Sequence, residues 1–104
     1  MSKRKLTESE VETKTAKYAK EKGFLTYKFW PHYQRGVPDR IFVKLGFIFF
    51  VEFKKPGEQP RALQKAIIDQ LRGQRCQVFV IDSIQAGQIL IDEIDKKLCT
   101  SNVK

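Results

Sequence analysis

Two apolar runs separated by one glycine, Arg40–Leu45 and Phe47–Lys54, limit what this chain can become more than any other feature. Both have strand length and are rich in β-branched and aromatic residues, so they read as a hairpin turning near Gly46. In the second run, alternate positions face opposite ways. Phe47, Phe49, Val51 and Phe53 share one side; Ile48, Phe50, Glu52 and Lys54 share the other. Around the hairpin the pattern changes period. Thr7-Glu8-Ser9-Glu10 has the form of a capping box, which predicts a helix running to about Lys22 and stopping at Gly23. Its less charged side holds Val11, Thr15, Tyr18 and Ala19. Phe24–Trp30 reads as a short strand ended by Pro31, and Pro31–Pro38 as a loop. Beyond the hairpin, Lys55–Pro60 is a loop. Arg61–Arg72 fits a helix with Leu63, Ala66, Ile67 and Leu71 inward, stopped by Gly73. Cys76–Ile81 reads as a buried strand, with Cys76 as a small apolar filler, and Asp82 and Ser83 can cap a last helix.

The order is helix, three strands, helix, strand, helix. Consecutive strands imply an antiparallel meander, and the helix before the fourth strand implies a right-handed parallel crossover. The expected fold class is therefore α/β, a mixed sheet flanked by helices on both faces with an additional C-terminal helix. At 104 residues there is room for one core, so 1–104 is read as a single domain, with residues 1–6 as a flexible basic tail.

Composition narrows the function. Lys and Arg number 20 against 12 Asp and Glu, a formal charge of +8, which favours a polyanionic partner, nucleic acid before membrane. Residues 1–60 hold 13 basic and 7 acidic side chains, so the front of the chain is expected to carry that contact. No apolar run has the length of a membrane span. The charged start leads into Thr7-Glu8-Ser9-Glu10, where a secretory signal would be apolar. The two cysteines, Cys76 and Cys99, form no disulfide framework or zinc motif, and the single His32 excludes a multi-histidine metal site within one chain. A cytoplasmic setting is expected, with no organic cofactor.

Chemistry concentrates at the far end of the hairpin from its turn. Glu52 and Lys54, at i and i+2 on a strand, leave the same face. Asp39 opens the preceding strand and is about as far from Gly46 as Glu52 is, so two carboxylates and an ammonium should converge. Two close carboxylates repel unless a cation lies between them, and oxygen ligands suit Mg²⁺ or Mn²⁺. Such an ion neutralises a phosphate, and Lys54 can orient the attacking water or meet charge building on the phosphorus oxygens. The combination describes a phosphodiesterase. Taken alone, E-x-K is an ordinary cross-strand charge pair.

Gly36-Val37-Pro38-Asp39-Arg40, then Phe50-Val51-Glu52-Phe53-Lys54-Lys55-Pro56-Gly57, then Gln64 in a helix, resembles the PD-(D/E)XK nucleases. Within them the chain is similar to the stand-alone virus-type replication-repair nuclease (VRR-NUC) domain, over about Thr7 to Ser83. The resemblance implies a restriction-endonuclease-like core. It also implies that Asp39, Glu52 and the Phe53 carbonyl are metal ligands, that Lys54 is the catalytic lysine and that Gln64 lies beside the site. A further acid is expected from the first helix, either Glu12 or Glu8. Glu12, 11 residues before Gly23, has a spacing that resembles archaeal-type junction resolvases, whereas Glu8 also suits a first-turn dipole role.

Lys28, Arg35, Arg40 and Lys55 sit in or beside segments leading to this point and are the expected phosphate contacts. Trp30, His32 and Tyr33 are candidates for stacking on bases or for loop packing, and Lys3-Arg4-Lys5 for a solvated tail. The expected function is a divalent-metal-dependent endonuclease for branched DNA, four-way junctions above all. It is expected to act as a homodimer, because a symmetric junction takes two paired cuts. The last helix is a candidate interface or simply packs on its own sheet. Alternatives are a flap, nick or single-strand nuclease, a non-catalytic nucleic-acid-binding module, and a small restriction-type enzyme.

Overall fold

The capping box at Thr7 sets where the first helix begins. Glu10 N–H donates to Thr7 Oγ1 at 3.1 Å, and Thr7 N–H donates to Glu10 Oε1 at 3.3 Å. In the computed structural model, which describes residues 6–29 and 35–101, α1 spans Glu8–Glu21 and ends at Lys22, with Gly23 at φ +90°. Val11, Thr15 and Ala19 are buried as expected. Trp30, His32, Tyr33 and Lys3-Arg4-Lys5 lie outside the described residues.

The chain continues as β1 (Leu25–Lys28), β2 (Arg40–Lys44), β3 (Phe47–Phe53), α2 (Ala62–Gly73), β4 (Gln77–Ile81) and α3 (Ile84–Ser101). The four described strands form one sheet in the order β1-β2-β3-β4; the first two pairings are antiparallel and β3 pairs β4 in parallel. This is the expected meander and crossover. The β2–β3 turn has only two residues, Leu45 at φ 52° and Gly46 at φ 82°. Two left-handed residues in a two-residue loop give a twist that matches the flanking strands, and this fixes the hairpin register.

One sheet face carries the core. Phe42 stacks on Phe49 with centroids 5.1 Å apart, and Phe24 and Phe79 meet Phe49 edge-on. Val11 and Ala19 of α1 and Ile91 and Ile94 of α3 close over them. Ser83 caps α3, its Oγ accepting from Ala86 N–H at 3.0 Å. The apolar side of α3 is thus spent on its own sheet and on α1; Ile89, half-exposed, is its one large apolar side chain left to solvent among the described residues.

The other face is covered unevenly. α2 packs on β4, burying Ile68, and leaves Leu25, Tyr27 and Ile48 exposed. Three details depart from the sequence reading. Leu63 and Ala66 are exposed, and Ile68 turns inward in their place, on the same stripe as Gln64. Cys76 precedes β4 and is half-buried in the turn, its N–H bonded to Leu71 O. Gly73 is the last residue of α2, and the reversal is made by Arg75 at φ 67°. No helix among the described residues is long and apolar enough to cross a membrane.

Candidate active site

The hairpin register decides what meets at the end of the sheet. Arg40 pairs with Val51, so the same register carried one step further sets Asp39 opposite Glu52. Asp39 Oδ2 accepts the backbone N–H of Phe53 at 2.7 Å, which holds the carboxylate against β3. Pro38 is fully buried and Gly36, at φ +88°, packs on α2, where an added Cβ would come within 2.9 Å of Leu63 Cγ. The segment before Asp39 is therefore pinned on both sides.

Glu52 is 1% exposed and Lys54 3% exposed. Lys54 follows β3, and its N–H donates to Ile81 O at 2.9 Å, so β4 holds the lysine in line. Its Nζ lies 3.6 Å from Glu52 Oε2. Gln64 Nε2 donates to the same oxygen at 2.7 Å, while Gln64 Oε1 accepts Arg61 N–H at 2.8 Å. One side chain thus closes the N-terminus of α2 and fastens it to Glu52. Glu52 Oε1 is buried with no hydrogen-bond partner.

The electrostatics match this crowding. Burial pushes the Glu52 carboxyl up to about 8, and neighbouring Asp39 adds to the rise while Lys54 opposes it. Asp39 is pushed up to about 6, chiefly by burial; the Phe53 N–H opposes, and the charges of Glu12 and Glu8 add to the rise. Two acids within electrostatic reach, one with an orphaned buried oxygen, resist ionisation without a cation. Oxygen donors of this kind fit a hard divalent ion. Among the described residues no three Asp, Glu, His or Cys side chains form a ligand cluster.

The two helix-1 acids differ. Glu12 is buried, and its Oε2 accepts from Arg40 Nε at 2.8 Å with Lys28 Nζ at 3.5 Å. Glu8 is half-buried on the cleft wall and its charge acts on both Asp39 and Glu52. The cleft holds ≈ 430 Å³ and is lined by Glu8, Glu12, Lys28, Phe29, Asp39 and Gln64 among others. Lys28 stands exposed at its rim. Arg40 is mostly buried with its Nε on Glu12; Lys55 is exposed, 3.8 Å from Glu58; Arg35 is exposed. The Arg40–Glu12 bridge was not visible from spacing, since its partners are 28 residues apart. Its signal lies in the strand register: Lys28 and Arg40 are cross-strand partners and both face α1. Phe29, which the sequence placed in a strand but not at the site, also lines the cleft.

No protein-family model matches the chain. It is 36% identical over 88 residues to a protein named "Putative nuclease p44" of Acyrthosiphon pisum secondary endosymbiont phage 1, covering 84% of this chain and 95% of that one. In structure it is similar to a solved VRR_NUC domain, with a TM-score of 0.75 and 26% identity over 84% of this chain and 97% of that one.

Proposed function

The chain belongs to the VRR-NUC nucleases, and from that premise we propose that it is a divalent-metal-dependent DNA endonuclease for branched DNA, four-way junctions above all, working as a homodimer. The observation that carries the reading is the buried pair Asp39 and Glu52, with Lys54 and Gln64 both on Glu52 Oε2 and Oε1 left without a partner. Asp39, Glu52 and the Phe53 carbonyl would hold the ion, with Glu8 as the helix-1 acid closest in character to a further ligand, since Glu12 is engaged by Arg40. Bound there, Mg²⁺ or Mn²⁺ supplies positive charge to the phosphodiester and acidifies water.

The chain's own groups do the rest. Gln64 and Lys54 occupy Glu52 Oε2, which leaves Oε1, buried and without a partner, as the oxygen to ligate the ion. Phe53 N–H fixes Asp39 Oδ2, so neither carboxylate reorganises as the substrate arrives. The Lys54 ammonium donates to the phosphate oxygen on which charge builds, or holds the attacking water in line. Burial excludes bulk water from these contacts and strengthens them. Lys28, Arg35 and Lys55 hold the flanking backbone without reading sequence. Arg40 reaches phosphate only with the guanidinium nitrogens other than Nε, which is bound to Glu12.

Two copies related by a two-fold axis supply the paired cuts a symmetric junction needs. The test incubates the protein with a labelled four-way junction, a flap and a linear duplex, in Mg²⁺, Mn²⁺ or EDTA, alongside size exclusion with light scattering. Symmetric paired nicks and twice the mass of one 12.1 kDa chain are expected. Flap cleavage by a monomer overturns the junction and dimer assignments. Tight binding without cleavage in any metal overturns the enzyme.

A further inference from the structure

We propose that Phe29, with Tyr27 behind it, is a stacking surface for an unpaired nucleobase beside the phosphate being cut, so that the site selects DNA whose strand is unstacked at that point. This rests on the nuclease reading above and names the feature of the substrate that the cleft recognises. Tyr27 and Phe29 lie two residues apart on β1 and just past its end, on the face opposite the core and ~7 Å apart along the strand. Tyr27 is 60% exposed and Phe29 37%. Of the two, Phe29 lines the cleft beside Asp39.

Phe29 is held, not loose. Its N–H donates to Asp39 O at 2.9 Å, which ties it to the residue that opens the site. Its ring stacks on Phe50, with centroids 6.1 Å apart and planes 24° from parallel. Phe50 in turn is two residues before Glu52 on the same side of β3. One ring face is thus backed by protein, and the ring's edge and exposed surface border the cleft shared by Asp39, Glu8 and Lys28. The occupant follows from chemistry. The protein carries +8 and belongs to a nuclease family, so a DNA strand is what the cleft admits. Within a continuous duplex each base is already covered by its neighbours; an unpaired or branch-point base has a free π-face, and every base has one, so the contact is indifferent to sequence.

The binding test needs no turnover. A four-way junction with 2-aminopurine at the branch point is titrated with protein in EDTA. Wild type should quench the probe at least twofold, Phe29→Tyr should quench it as well, and Phe29→Ala and Phe29→Leu should leave it bright. In Mg²⁺, kcat/KM for the junction should fall about tenfold in Phe29→Ala and Phe29→Leu and recover in Phe29→Tyr. Phe29→Leu keeps apolar bulk, so its melting temperature should stay near wild type. Quenching by Phe29→Leu equal to wild type, or no recovery with Phe29→Tyr, overturns the proposal. Wild-type quenching with no cleavage of any substrate in either metal overturns the nuclease reading and leaves the stacking contact standing.

Discussion

Glu52 is an acid held where its charged form is disfavoured, and that has a thermodynamic signature. Its folded value of about 8 and that of Asp39, about 6, both lie above the ordinary 4.5 and 3.8. A raised folded value means the folded chain binds protons that the unfolded chain has released. The resulting stability is present in full below about pH 4 and is lost as pH rises through 6 and then 8. In EDTA the melting temperature should therefore fall from pH 5 to about pH 8.5. Glu52→Gln should flatten that fall and melt at least about 5 °C higher at the upper end. Mg²⁺ added to wild type at pH 8 should raise the melting temperature, because it binds the folded pair. A melting temperature indifferent to both pH and Glu52→Gln would sink this account of the site. For turnover, Asp39→Asn and Lys54→Ala should each lower junction cleavage by roughly 10³-fold while a gel-shift assay still shows junction binding. Normal cutting by Lys54→Ala would remove that residue from the chemistry.

Elements here are joined at a few tight points. An added Cβ at Gly87 would lie 2.1 Å from Thr15 Oγ1, where α3 crosses α1. Gly87→Ala should cost about 2 kcal/mol or more in urea unfolding, and the double variant with Thr15→Ala should recover part of it, because the clash atom and a buried hydroxyl without a partner go together. Additive losses would mean the contact is not the cause. The same logic explains what could be read in advance. The hairpin, and with it the pairing of Asp39 with Glu52, was legible because a two-residue turn fixes register and alternation fixes faces. The inward side of α2 was not. Its sequence supports two stripes that share Leu71, Leu63-Ala66-Ile67-Leu71 and Gln64-Ile68-Leu71, and periodicity does not choose between them. The choice is made by Gln64 bonding Glu52, a contact between elements. The Arg40–Glu12 bridge, which favours Glu8 in the proposed site, was hidden in the same way, since Arg40 reaches across from β2.

For the whole molecule, the charge of +8 sets how binding responds to salt. Phosphate contacts release counterions, so junction affinity should drop at least tenfold between about 50 and 200 mM salt, with a linear log–log plot. A flat plot would mean that stacking and groove contacts carry binding without the basic residues. Finally, β4 contributes no side chain to the proposed chemistry, yet the lysine's own amide hangs from Ile81 O. A genetic screen for loss of cutting would therefore recover changes in this strand and score them as active-site lesions. They would be splint failures: the reagent stays in the sequence and is aimed elsewhere.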